Sequence, residues 1–254
     1  MNHERPLQGI FMVEEAIIQL TGGIDSTVLA YYLKDKYALH GAFVYYGYPP
    51  QVREFELVRE LSEKLGIPLK VVDFSSYVKS FNLPPTYTVQ YKIRHQFLVE
   101  ILAVLSAYPD LNTLFVGWLK GEWESKRGLL ESIESIMNFK VVAPFRTMTK
   151  SEVIKLGERL GVDFAKTHSC IVSGKMHCGI CVPCRSRKRA FGEAKVKDPT
   201  TYYYNLSPDE VDKLARELSQ EEFIEKYFKP FLEYTGEYPK EFVDNLVKIL
   251  KEQG

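Results

Sequence analysis

The chain has 254 residues, of which 33 are basic and 33 acidic, so its formal charge is zero. That balance removes the long-range field of a dedicated nucleic-acid binder, and no apolar run approaches the roughly 18 residues a membrane span needs. With 45% hydrophobic and 26% charged residues, the composition is that of a folded intracellular protein, one domain plus an appendage.

The first residues, MNHERPLQGIFMVEEA, lack the basic-then-apolar pattern of an export signal. A cytoplasmic location is expected, and Met12 offers an alternative start to Met1. Apolar, strand-like runs follow at Ala16–Leu20, Leu39–Tyr46, Leu69–Phe74, Thr113–Trp118 and Val141–Phe145. Helical patterns lie between them, at Asp25–Tyr37, Val52–Leu65, Ile93–Ala107, Glu122–Met137 and Thr149–Leu160. This alternation predicts βαβ units, a mainly parallel sheet and helices on both faces. Ser75–Gln90, with Pro84 and Pro85 and no period, reads as a long loop. From Asn205 onward two or three helices are expected, one over Ser207–Leu218 with Ser207 as its cap and Pro208 in its first turn. The chain thus divides into an α/β domain (1–160), a cysteine-bearing lobe (161–204) and a helical extension (205–254).

All four cysteines, Cys170, Cys178, Cys181 and Cys184, fall within 15 residues as C-x7-C-x2-C-x2-C. A disulfide-stapled protein spreads its cysteines along the chain. Four thiolates so closely spaced suit one tetrahedral zinc ion with no open position, hence a structural one. An iron–sulfur cluster, a redox pair or unrelated free thiols are the alternatives. His168 and His177 flank the cluster and read as its neighbours, or as substrate-side residues, rather than as ligands.

At residues 16–27 a β-branched strand runs into Gly22-Gly23, and a helix begins near Asp25. Paired glycines let backbone amides approach a ligand closely. Thr21, Ser26 and Thr27 add hydroxyls, and the helix directs its positive end to the same place. Leu20, Thr21, Gly22, Gly23, Ile24, Asp25, Ser26 and Thr27 are therefore the candidate phosphate cradle. It is neither a Walker A loop nor a G-x-G-x-x-G fingerprint. The alternative is an ordinary strand-to-helix turn in which Asp25 only caps the helix.

The segment Thr21-Gly22-Gly23-Ile24-Asp25-Ser26 resembles the S-G-G-x-D-S motif of the PP-loop ATP pyrophosphatase superfamily, with Thr21 retaining the first hydroxyl. The later blocks are similar to those of the 7-cyano-7-deazaguanine synthase (QueC) family. They are Thr167-His168-Ser169-Cys170, Cys178-Gly179-Ile180-Cys181-Val182-Pro183-Cys184, Arg187-Lys188-Arg189-Ala190-Phe191 and Asp198-Pro199-Thr200-Thr201-Tyr202. The resemblance covers about residues 15–204. It departs from the family at His168, where Trp is usual, and at Tyr91-Lys92-Ile93-Arg94-His95, where V-P-x-R-N is usual. It departs again at 117–127, where Gly117 is kept but the substrate-side pattern is rewritten, and in the extension from Asn205.

The resemblance implies an adenine nucleotide alpha hydrolase-like (Rossmann-like) fold and an ATP-dependent ligase. Such an enzyme adenylates the carboxylate of 7-carboxy-7-deazaguanine for attack by ammonia, and then dehydrates the amide to a nitrile. Pyrophosphate would leave into Gly22–Ser26, with Mg²⁺ organised by Asp25. Asp25, Ser26, Lys150 and Arg94 are the implied catalytic residues. ATP, a 7-deazapurine, ammonia and a second copy of the chain are the implied partners. The basic run Arg185–Arg189 is expected to meet phosphate or acidic neighbours rather than nucleic acid. Two alternatives stay open: a QueC-like enzyme of a defence system that conjugates a deazaguanine to a protein amine, and a non-catalytic ATP-sensing module.

Overall fold

A computed structural model describes residues 14–80, 96–241 and 243–244. Among these, five strands form one parallel sheet: β1 (Glu15–Gln19), β2 (Ala38–Tyr45), β3 (Leu69–Asp73), β4 (Thr113–Phe115) and β5 (Lys140–Val142). Their order is β3-β2-β1-β4-β5. The chain therefore builds outward from β1 on one side, then returns to pair β4 with β1 on the other. The crevice at such a reversal, beyond the carboxyl ends of the strands, is where open α/β sheets bind ligands.

β1 carries Ala16, Ile17 and Ile18, all with no exposed surface, as expected of a central parallel strand covered on both faces. Successive side chains point to opposite faces, and the two apolar cores follow that alternation. Ala16 and Ile18 pack with α1 (Ile24–Leu33), α2 (Pro49–Leu65), α6 (Lys150–Arg159) and α7 (Val182–Ala194). Ile17 packs instead with residues of α4 (Gln96–Ala107) and with Leu130 of α5 (Lys120–Met137).

All five strands predicted from the sequence are present, and so are the helices between them, with ends shifted by a few residues. α2 begins at Pro49 rather than Val52, because prolines at its first two positions cost no intrahelical donor. The loop reading of Ser75–Gln90 needs correction at its start: Ser75–Lys79 is a short helix, α3, begun where the Asp73 side chain accepts the Ser75 amide hydrogen. Residues 81–90 of that segment, and the Tyr91–His95 departure with Arg94, lie outside the described residues.

Beyond the sheet, α7 begins at the cysteine lobe. The extension supplies α8 (Pro208–Glu217), α9 (Gln220–Phe223), a π-turn over Ile224–Phe228 and α10 (Lys229–Thr235). Ser207 caps α8 with Pro208 in its first turn, as the sequence predicted, and Glu210 returns the bond to the Ser207 amide. Val211 and Phe231 of the extension share one buried cluster with all four cysteines, so the extension roofs the cysteine lobe. Among the described residues, no helix is long and apolar enough to cross a membrane.

Candidate active site

The loop after β1 is built around Gly22. Its φ of +72° is a left-handed conformation, and a Cβ there would stand 2.8 Å from the Glu54 carbonyl oxygen. Side chains other than hydrogen are thus excluded both by conformation and by space. Gly23 then caps α1 without a side-chain bond, leaving the first-turn amides without an intrahelical acceptor. Ser26 Oγ folds back over the turn, accepting the Thr21 amide hydrogen at 3.1 Å and lying 2.9 Å from Thr21 Oγ1. The two hydroxyls hold the cradle in shape before any ligand arrives.

Asp25 and Lys150 meet here. Lys150 is the first residue of α6, set by the Thr149–Glu152 capping box, and its Nζ lies 2.8 Å from Asp25 Oδ2. Packing of Val153 and Ile154 with Val28 and Leu29 of α1 brings the two helix starts together. Asp25 Oδ1 is buried and has no hydrogen-bond partner among the described residues. A carboxylate oxygen in that condition suits a hard cation such as Mg²⁺. Gly117, kept in the otherwise rewritten segment after β4, has a steric reason for being there. A Cβ on it would lie 3.1 Å from both the Asp25 carbonyl carbon and the Ser26 nitrogen.

The cradle opens into a cleft of about 280 Å³. Leu20, Thr21, Gly23, Ile24 and Asp25 form its floor; Phe43, Tyr46, Gln51 and Glu54 line one side, and His168, Ser169 and Ile171 another. The sequence reading did not single out Gln51. Its side chain accepts the Tyr46 amide hydrogen at 2.6 Å and donates to the Val44 carbonyl at 3.0 Å. It thereby takes the place of a neighbouring strand where β2 ends, a role without any motif to reveal it. Arg53 pairs with Glu56 at 2.9 Å on the surface of α2. Ser26 and Thr27 are buried in the base of the cradle.

The four cysteine sulfurs lie within 4.8 Å of one another, and all four residues are buried. Four sulfurs each about 2.3 Å from one tetrahedral ion are about 3.8 Å apart, and Cys178 Sγ and Cys184 Sγ are separated by 3.9 Å. Cys178 Sγ accepts amide hydrogens from Ile180 and Cys181, and Cys170 Sγ accepts one from Cys178. Such N–H···S bonds favour the thiolate form that metals bind. The donor set therefore fits one tetrahedral metal ion.

Arg187 locks this lobe to the cleft wall. It has no exposed surface, yet its guanidinium donates to Thr167 Oγ1, the Phe164 carbonyl, Ser169 Oγ and Asp198. Asp198 in turn accepts from the Tyr202 hydroxyl at 2.6 Å. The T-x-S-C, R-x-x-A-F and D-P-T-x-Y blocks are thus one buried network. The other arginines of the run meet acidic neighbours: Arg185 pairs with Asp212, and Arg189 with Asp212 and Asp209.

His168, in the usual place of Trp, is buried. Its Nε2 lies 3.0 Å from the Cys170 carbonyl and 2.8 Å from that of Ser173, so it carries the proton and donates. Its own amide donates to the Gly22 carbonyl at 2.8 Å. Burial holds the ring neutral. His177 accepts the Ser169 amide hydrogen through Nε2, and burial together with His168 and Arg187 depresses its pKa to about 3. Neither histidine is among the clustered metal donors.

A parallel sheet whose central strand delivers its chain into this glycine turn, with an acid and a lysine converging on it, defines an enzyme of the PP-loop class. The comparison with known families is more specific. A family model described as "Queuosine biosynthesis protein QueC" matches residues 15–83 and 81–195, and the chain belongs to that family. Among curated relatives, the 7-cyano-7-deazaguanine synthase of Methanobrevibacter smithii is 29% identical over 225 residues, covering 75% of this chain and 99% of the relative. The 7-cyano-7-deazaguanine synthase 1 of Sulfurisphaera tokodaii is 29% identical over 208 residues, covering 76% of this chain and all of the relative.

Proposed function

We propose that this enzyme uses ATP to adenylate the carboxylate of a 7-carboxy-7-deazaguanine, and that ammonia displaces AMP to give the amide. A second ATP then adenylates the amide oxygen, so that loss of AMP and a proton leaves the nitrile. The observation that carries the reading is the meeting of Asp25 and Lys150 over the Gly22 turn, where both line the same cleft. The first amides of α1, with the Thr21 and Ser26 hydroxyls, receive the pyrophosphate as charge develops on it. Donors fixed in advance act most strongly at such a point. Lys150 neutralises the same charge from the far side, and Asp25 holds Lys150 in register. Asp25 Oδ1 is the oxygen that would hold Mg²⁺, which when bound supplies charge neutralisation between phosphates.

The metal of the cysteine lobe is zinc in this reading, and structural, since four thiolates leave no open position. A four-iron cluster gives each cysteine its own iron and needs sulfurs farther apart than one ion does. Ser26 and Lys150 are thus the catalytic groups on the phosphate side, with Arg94 reserved for the substrate carboxylate. The enzyme works in the cytoplasm as a homodimer, and its α/β domain, cysteine lobe and helical extension meet near residues 160 and 204.

Incubation of the pure enzyme with ATP, ammonium and the carboxylated base tests the reading. AMP, pyrophosphate and the nitrile are expected; ADP and phosphate without AMP would refute adenylation. One observation favours a second reading, transfer of the deazaguanine to a protein amine. α5, whose first two turns carry the rewritten segment, keeps only Leu130 buried and, beyond that segment, leaves Ile136 82% exposed. A stalled adenylate or amide, with a matching mass gained by an added protein, would select it.

A further inference from the structure

The family model ends at residue 195, yet the extension beyond it reaches the wall of the cleft. Between Cys170 and Cys178 the chain makes a loop whose first residue, Ile171, lines the cleft. Three bonds from the extension hold that loop from outside. Glu237 Oε1 accepts the Gly174 amide hydrogen at 2.8 Å, the Tyr238 hydroxyl donates to the Val172 carbonyl at 3.0 Å, and Lys175 Nζ donates to the Thr235 carbonyl. The junction is close. A Cβ on Gly174 would lie 3.1 Å from the Pro49 carbonyl and 3.2 Å from Glu237 Oε1, so the loop is caught between α2 and the extension.

From inside, the same loop is held by His168, whose ring donates to the Ser173 carbonyl and whose amide donates to Gly22 in the phosphate turn. An unbroken series of bonds therefore runs from Glu237 through Gly174, Ser173 and His168 to Gly22. We propose that Glu237 is a positioning residue for nucleotide binding: the extension braces the 171–175 loop, and through His168 sets the phosphate turn. This rests on the ATP reading for its ligand, though not for the brace itself. Two sites joined by such a series influence each other reciprocally, so docking of the extension and filling of the cleft favour one another.

The test uses the full-length, metal-loaded protein and its Glu237→Ala variant. Without nucleotide, hydrogen exchange at the His168 amide, which is bonded to Gly22, is expected to quicken about tenfold. With substrates, KM for ATP is expected to rise about tenfold while kcat holds. Glu237→Gln keeps an acceptor for the Gly174 amide and is expected to restore both. Exchange that quickens only within residues 235–244, or a lower kcat with unchanged KM, would overturn the proposal. Should Glu237→Ala fail to fold, Tyr238→Phe removes one hydroxyl from the same brace and is read in the same way. If the wild-type protein does not bind ATP, the functional reading fails, and the exchange measurement alone decides the brace.

Discussion

Lys150 Nζ and Asp25 Oδ2 lie 2.8 Å apart although 125 residues separate them in sequence. Both side chains keep some solvent contact, 26% and 22% exposed, so the pair is open to a ligand rather than sealed into the core. A pair still reached by solvent is screened more than a fully buried one and is suited to rearrangement when phosphates arrive.

Replacing either member should therefore separate activity from folding. Asp25→Ala and Lys150→Ala are each expected to lower AMP formation by about 10²-fold or more. Their unfolding midpoints in urea should stay close to that of the parent protein. A large loss of stability in either variant would show that the pair is structural.

Gly22→Ala should do the reverse of a conservative change. The new methyl group would meet the Glu54 backbone in a left-handed turn, where strain is on the order of 1–3 kcal/mol. Calorimetric titration should show ATP binding lost, while metal content is retained because the cysteine lobe is untouched.

Arg187 gives the stability counterpart. Arg187→Met removes a fully buried guanidinium from Asp198, Thr167, Ser169 and the Phe164 carbonyl. Breaking a buried pair from one side costs about 3 kcal/mol or more, so the urea midpoint should fall markedly.

Metal removal should reach farther than the lobe. Elemental analysis is expected to find one zinc per chain, lost on Cys181→Ser. Val211 and Phe231 pack on the cysteines, and metal binding of this type is coupled to folding. Proteolysis of the stripped protein should accordingly begin within 205–235, with the sheet still intact.

The five strands were legible because each is a short apolar run between helical patterns. The thiol cluster and the glycine turn were legible because their chemistry is written in consecutive residues. Partnerships across the chain were not. Nothing near Gln51 announces that its amide closes the end of β2, and no local pattern ties Glu237 to Gly174. Lys150 was picked out as an implied catalytic residue, but its bond to Asp25 depends on two helices packing through Val28 and Val153. The same limit applied to Ser75–Lys79, where a single turn held by Asp73 is too short to display a period.

The bond from the His168 amide to Gly22 also orders events during synthesis. The phosphate turn leaves the ribosome well before the wall that closes on it, which follows the whole α/β domain. Contacts so distant in sequence form late. A chain interrupted before α6 would hold Gly22 and Ser26 on a partly built sheet, without Lys150 or His168. On the proposed function such a fragment would carry the phosphate turn and lack the groups that use ATP, so incomplete translation products are expected to be inert rather than wasteful.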